Sequence, residues 1–268
     1  MKFISFNING LRAHIHQLEH IIQVINPDVI GLQEIKVQDK DFPIDILSKY
    51  NYYLYYYGQK SYYGVALLSK NKPLMVHKGL LIDEIYLCQK RTIKADFETS
   101  KGILTVINVY FPNGGYRNSI KFLEKKKFYK NFILYLKKYH NKNSLLIVMG
   151  DMNIAQDFLD IGIKGLLYKF WLKSGKCGFL PEEQTWVKNL LDFGLIDSYR
   201  YFNTLVNNKY SWFDYRFNSF KKNLGLRIDL LLSTKPLINV LESSGIYYNI
   251  RNMNKPSDHA PIWSNFIL

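Results

Sequence analysis

Leu145-Leu146-Ile147-Val148-Met149-Gly150-Asp151-Met152-Asn153 is the stretch on which the reading of this chain turns. Branched apolar residues in a row, closed by a glycine, predict a short strand buried on both faces. Such a strand does not readily hold a bare carboxylate, so Asp151 and Asn153 are expected just past its carboxyl end, projecting into a pocket. Side chains on an extended chain alternate with period two, so the acid and the amide point the same way. Gly, Asp and Asn also favour turns, and on this stretch alone a turn fits as well. Other apolar runs break the tie, because they too end in acids. Val29-Ile30-Gly31-Leu32-Gln33-Glu34 does so, and Asp229 and Asp258 sit beside Leu230-Leu231-Leu232 and Pro261-Ile262-Trp263.

Outward from that strand, the first half reads as strand, helix, strand. Phe3 to Phe6 is followed by the loop Asn7-Ile8-Asn9-Gly10. Leu11, Ile15, Leu18, Ile22 and Ile25 then recur at helical spacing. Asn26-Pro27 ends that helix, and Val29 to Leu32 delivers Gln33 and Glu34 to the end of a second strand. From Tyr52 to Val109, short β-rich runs between turn clusters predict an antiparallel meander that places Tyr110 at its close. Tyr129, Phe132, Ile133 and Leu136 mark a helix whose lysines (Lys125, Lys126, Lys127, Lys130, Lys137, Lys138) read as a solvated face. Residues 154 to 181 read as irregular, and Val187, Leu190 and Leu191 as a short helix ended by Gly194. Residues 211 to 227 read as a basic loop, before strands at Ile228 to Leu232 and Pro261 to Ile267. No linker or repeat divides the chain, so one domain over 1–268 is expected, built as two packed sheets covered outside by helices.

At 268 residues with 47% apolar content the chain supports a sizeable core. Its formal net charge of +14 favours a polyanionic partner, although abundant Lys, Asn, Ile and Tyr also fit an AT-biased genome. Cys88 and Cys177 form no CxxC and read as small core residues in a reducing cytoplasm. No apolar run reaches membrane-spanning length, and the N-terminus lacks a signal-peptide apolar region.

Asn7, Glu34, Tyr110, Asp151, Asn153, Asp229, Asp258 and His259 are thus all expected at strand ends. Oxygen ligands such as Glu34 suit a hard ion, Mg²⁺ or Mn²⁺, whereas zinc would want more Cys and His. An Asp such as Asp229 paired with His259 fixes the imidazole tautomer and supports its charged form. Asn153 and Tyr110 are donors suited to a phosphate in its transition state. Together they fit metal-assisted attack of water on a phosphodiester. No Gly-x-Ser-x-Gly elbow and no GxxxxGK loop is present, so covalent acyl transfer and nucleotide hydrolysis lose ground.

The set Phe6-Asn7-Ile8-Asn9-Gly10-Leu11-Arg12, Leu32-Gln33-Glu34, Gly150-Asp151-Met152-Asn153, Gly225-Leu226-Arg227-Ile228-Asp229 and Ser257-Asp258-His259 resembles the exonuclease III family of abasic-site endonucleases, in order and along the whole chain. The resemblance implies a four-layer α/β sandwich, two packed and mainly antiparallel sheets flanked by helices, as in DNase I. It implies a Mg²⁺-dependent DNA repair nuclease that incises 5′ to abasic sites, trims 3′-blocking groups and digests duplex DNA from 3′ ends. Glu34 would bind the metal with Asn7 and Asp258 close by, and Asp151 and Asn153 at the same shell. Asp151 would be the general acid/base, positioned by Asn153. His259, oriented by Asp229, would touch the scissile phosphate, and Tyr110 would donate to it. Trp212, Phe213 and Leu226 would line the pocket for an abasic sugar, with Arg91, Arg216 and Asn113 contacting DNA. Departures are mild: Ala260 stands where Cys is expected, Ile35 where Thr is, and Asn113 where Gln is. A cytoplasmic monomer acting on double-stranded DNA, away from membranes, is the expectation. The rivals are a phosphatase or sphingomyelinase of the same fold, and a DNA-binding module without activity; the latter would be expected to lack one of Glu34, Asp151, Asp229 or His259.

Overall fold

The computed structural model describes residues 1–79 and 89–268; Cys88 lies outside them. Its strands are β1 (Lys2–Asn7), β2 (Val29–Gln33), β3 (Tyr53–Tyr57), β4 (Val65–Ser69), β5 (Met75–Lys78), β6 (Thr92–Thr99), β7 (Gly102–Tyr110), β8 (Leu145–Asp151), β9 (Leu195–Asp197), β10 (Trp212–Phe213), β11 (Gly225–Leu226), β12 (Asp229–Thr234), β13 (Leu241–Ile246) and β14 (Ile262–Phe266). Among the described residues they form two six-stranded sheets, in the orders β13-β14-β1-β2-β4-β3 and β5-β6-β7-β8-β12-β9, and a small β10-β11 hairpin. Only β1-β2 and β7-β8 pair in parallel; the remaining neighbours are antiparallel.

The sheets pack face to face, which is why the central strand is apolar on both sides. Ile147 and Met149 join Phe3, Val29, Leu67, Val106 and Leu231 between the sheets. Leu146 and Val148 face the other way, into a core shared with helices α3 (Ile120–Tyr139) and α5 (Pro181–Asp192). On the far side, Ile4, Ile30 and Leu32 pack under α1 (Ile15–His20) and the short α2 (Ile44–Leu47). The result is four layers: helices, sheet, sheet, helices. Truncating a central side chain such as Ile147 to Ala is expected to cost about 2–5 kcal/mol.

Gly150 is required where it stands. Its φ is +152°, and a Cβ would lie 1.8 Å from the carbonyl oxygen of Val109 on the parallel neighbour. The strand therefore closes tightly on β7 just before Asp151 emerges.

Four expectations need correction. The run from Tyr52 to Val109 is not one meander: β3 and β4 belong to the first sheet, β5 to β7 to the second. Period-two alternation reports a half-buried strand but not which sheet receives it. Residues 154–181 are not wholly irregular, because Gly165–Ser174 forms α4, with Trp171 buried. The first helix begins at Ile15, not Leu11, and continues as a π-helical turn over Ile21–Ile25. Lys125 is not on a solvated face; it is fully buried. Strands β5 and β13 were not legible as strands, being short and largely polar or exposed.

Candidate active site

Strand ends from both sheets meet along one edge of the sandwich. Register dictates the meeting: Asp151 lies opposite Tyr110 on β7 and opposite Asp229 on β12. From the first sheet, Asn7 ends β1 and Glu34 follows β2. The Asn7 amide joins the two sheets, donating to Glu34 Oε1 at 3.0 Å and to Asp151 Oδ2 at 2.9 Å. Asp151 also accepts from the Asn153 backbone N–H at 2.8 Å and from its side-chain amide at 3.1 Å. Asn113 Nδ2 in turn donates to Asn153 Oδ1 at 3.0 Å. Asp229 Oδ2 holds His259 Nδ1 at 2.8 Å, which leaves Nε2 for another partner. Asp258 accepts from Asn9 Nδ2 at 2.8 Å and from the Trp212 indole at 3.0 Å.

Several of these residues hold costly backbone. Asn9, Glu34, Lys36 and Asn153 have φ of 47°, 51°, 54° and 54°, in the left-handed region that non-glycine residues rarely occupy. Such strain persists only where surroundings enforce it, and it gathers at functional sites.

The electrostatics are those of crowded acids. Burial and the neighbouring Asp229 charge raise the Asp151 carboxyl well above the usual range, against the opposing pull of His259. Burial works against a charged His259, but Asp229 outweighs it and pushes the imidazole up. Burial likewise works to raise Glu34, yet Lys36 and the Asn7 amide hold it below its ordinary value. The Tyr110 phenol is driven well above 10 by burial and then by the Glu34 charge.

The donor set suits a hard divalent cation. Glu34 and Asp151 supply carboxylate oxygens within reach of one amide, and a cation, the Lys36 ammonium, already sits 2.8 Å from Glu34 Oε2. Possible ligand atoms of Asp151, Asp229 and His259 also lie within 4.8 Å of one another. Asp229 Oδ1 is buried without a hydrogen-bond partner among the described residues.

Beside the cluster lies a cavity of about 290 Å³ lined by Glu34, Tyr110, Asn113, Asp151, Asn153, Trp212, Arg216, Leu226, Asp258 and His259. Trp212 and Leu226 face each other across β10-β11. Phe213 does not line it. Adjacent strand residues point to opposite sides, and Phe213 is buried against Tyr210, Phe220 and Tyr248. Arg91 stands behind the site instead of in it, stacked on Tyr63 and Tyr110 and donating to the Tyr110 carbonyl at 3.1 Å.

The sequence pattern of the endonuclease/exonuclease/phosphatase family matches residues 4–259. Exodeoxyribonuclease III of Haemophilus influenzae is 53% identical over 267 residues, covering 99% of this chain and 100% of the relative. The chain belongs to the endonuclease/exonuclease/phosphatase family. Its exonuclease III branch is evident in that relative and in the exodeoxyribonuclease of Bacillus subtilis, 29% identical over 98% of each chain. Among solved structures, a Neisseria 3′ phosphatase bound to product DNA hairpin superposes with a TM-score of 0.89 at 32% identity, covering 100% of both chains. An AP endonuclease from Archaeoglobus fulgidus gives 0.89 at 29% identity, again over 100% of both. The four-layer sandwich is therefore the family fold.

Trp171, Lys176, Asp214 and Ile228 also line the cavity and carry no expected site role from sequence, as does Cys177, which was expected only in the core. Tyr168, Trp171 and Leu172 do carry helical spacing, but the surrounding glycines hid it. Cys177 is a buried core thiol, as expected, and burial pushes it up to about 12.

Proposed function

We propose that the chain is a Mg²⁺-dependent DNA repair nuclease that incises 5′ to abasic sites, removes 3′-blocking groups and degrades duplex DNA from 3′ ends. One observation carries the reading. The Asp229–His259 pair and the Asp151–Asn7–Glu34 chain converge beside a cavity walled by Trp212 and Leu226. Relatives named exodeoxyribonuclease III, AP endonuclease and 3′ phosphatase support it.

Glu34 would hold the metal, with Asn7, Asp151, Asn153 and Asp258 around it. When bound, the ion neutralises phosphate charge and favours attack by water. The other roles fall to the chain itself. Asp151, its carboxyl raised by burial and by Asp229, is suited to take and return a proton near neutral pH. His259 is held charged by Asp229 and can direct Nε2–H at a phosphate oxygen. Tyr110 stays protonated and donates. Asn153 orients Asp151. Arg216 at the cavity rim supplies a phosphate contact.

An abasic nucleotide has no base to hold it in the stack, so extruding it costs less than flipping an intact one. The Trp212–Leu226 cavity admits a bare sugar and crowds a base. The protein works as a single domain and a monomer, in the reducing cytoplasm, and the charge of +14 favours its duplex substrate. The test is a duplex with one abasic site, incubated first with Mg²⁺ and then with EDTA. A single incision 5′ to the site that EDTA abolishes is expected. No incision with Mg²⁺, or unchanged incision in EDTA, contradicts the reading.

A further inference from the structure

Asn153 is held from beneath as well as from within the site. Its backbone is left-handed and it follows a strand that ends at Asp151, so something must fix the carbonyls of residues 152 and 153. Two side chains one helical turn apart on α3 do so. Tyr129 Oη donates to the Met152 carbonyl at 2.6 Å, and Lys125 Nζ donates to the Asn153 carbonyl at 2.8 Å. Residues four apart lie on one helix face, so consecutive carbonyls are gripped by one rigid element.

Lys125 does more than this. It also donates to the Asn113 carbonyl at 3.1 Å and pairs with Glu183 Oε1 at 2.5 Å. The other Glu183 oxygen accepts from the backbone N–H groups of Gly178 at 2.7 Å and Leu180 at 2.9 Å. Both members of the pair have side chains 0% exposed. One buried ion pair thus ties together the segments carrying Asn113, Asn153 and Gly178, all of which line the cavity.

A buried pair is an expensive way to stabilise a fold, since apolar residues of similar volume often serve as well or better. Here the charge is aimed at carbonyls of the residues that shape the site. We propose that Lys125 and Glu183, with Tyr129, are positioning residues that set the orientation of Asn153, and through it Asp151, for phosphodiester cleavage. The proposal rests on the nuclease reading given above. It adds a specific role for residues that touch neither substrate nor metal.

The test uses the full chain and two variants. Lys125→Met with Glu183→Gln removes both charges together, so no buried charge is left uncompensated. Tyr129→Phe removes one O–H and keeps the ring, which preserves a test if the first variant does not fold. Two readouts are taken on each: the NMR resonances of the Asn153 side-chain amide, and the single-turnover rate on the abasic duplex, corrected for folded fraction. Misplacing a reacting group by about 1 Å can cost ~10²-fold, so a rate loss of roughly tenfold or more is expected for the double variant. A smaller loss is expected for Tyr129→Phe. The loss should fall on the saturating single-turnover rate more than on the enzyme concentration that gives half of it, and the Asn153 amide should shift in both. An unmoved Asn153 amide, or a rate that follows only the folded fraction, overturns the proposal. If the wild-type chain does not incise at all, the nuclease reading fails on its own account. The Asn153 amide still decides whether the strut positions that residue.

Discussion

Two of the buried charged clusters among the described residues each join a pair of aspartates to basic side chains, to opposite effect. At the strand ends, Asp151, Asp229 and His259 crowd together, and the Asp151 carboxyl is pushed up. Under the β10-β11 hairpin, Asp160 receives Arg227 Nε at 2.7 Å and Nη2 at 3.0 Å, and Arg200 pairs with it too. Arg227 also reaches Asp197 at 2.7 Å. Burial works to raise Asp160, but Arg227 and then Arg200 outweigh it and hold that carboxyl below its ordinary value. In the second cluster each acid has a cation; in the first the acids outnumber the cation. Matched charge keeps its acid ionised. Unmatched charge is tolerated where it does chemistry, and its perturbed groups mark the site.

Breaking the first cluster should show the largest effect on activity. Removing a positioned acid or base typically costs ~10²–10⁴ in rate, so Asp151→Asn and His259→Asn should each lose about that much. Groups acting as one unit give losses that do not multiply. The double variant in single-turnover assays should therefore lose far less than the product of the two.

Breaking the second cluster should show on stability instead. Arg227→Met leaves Asp197 buried without its partner and Asp160 with Arg200 alone, a loss of about 3–5 kcal/mol for a pair of this kind. Denaturant titration checks it. The folded fraction should retain its dependence on Mg²⁺.

Trp212→Ala falls between the clusters. It removes a cavity wall and leaves Asp151 in place. Incision at abasic sites should drop more than hydrolysis of a 3′-terminal phosphate, where no internal sugar is captured. Parallel loss of both, with a lower melting temperature, would mark Trp212 as a fold anchor only.

The pH dependence of stability separates the two clusters by sign. Asp160 has a folded value below its unfolded 3.8. Its contribution is present above 3.8 and is lost as the pH falls through the lower folded value. His259 is raised from 6.5 to about 10. Its contribution is full below 6.5 and is lost as the pH rises toward about 10. Melting temperature against pH should show the acid loss diminished in Arg227→Met and the alkaline loss diminished in Asp229→Asn.

The first cluster was legible in sequence and the second was not. Several apolar strands ending in Asp, Glu or His together announce a site, whereas one alone does not: Asp197 ends β9 and belongs to the second cluster. Asn7, Glu34, Tyr110, Asp151, Asn153, Asp229, Asp258 and His259 were all expected at strand ends, and the structure brings them to one edge. Asp160, Arg227, Lys125 and Glu183 carry no such mark. Whether a lysine in a basic helix faces solvent or a buried glutamate 58 positions away depends on a tertiary contact that no local spacing encodes. Phe213 failed for a simpler reason: strand alternation turns it away from the cavity that its neighbour Trp212 lines.

That the strand-end cluster serves chemistry first is tested most directly by Asp229→Asn. The Asp229 Oδ1 has no hydrogen-bond partner among the described residues, so an amide nitrogen there displaces none of their donors, while Oδ2 can still accept from His259. Rate and unfolding midpoint are measured on one preparation. A rate loss of at least ~10² is expected in the folded fraction, beyond any change in the unfolding midpoint, where the lost support of charged His259 and the relieved crowding of Asp151 oppose each other. A lowered midpoint with a rate that merely tracks the folded fraction would contradict it.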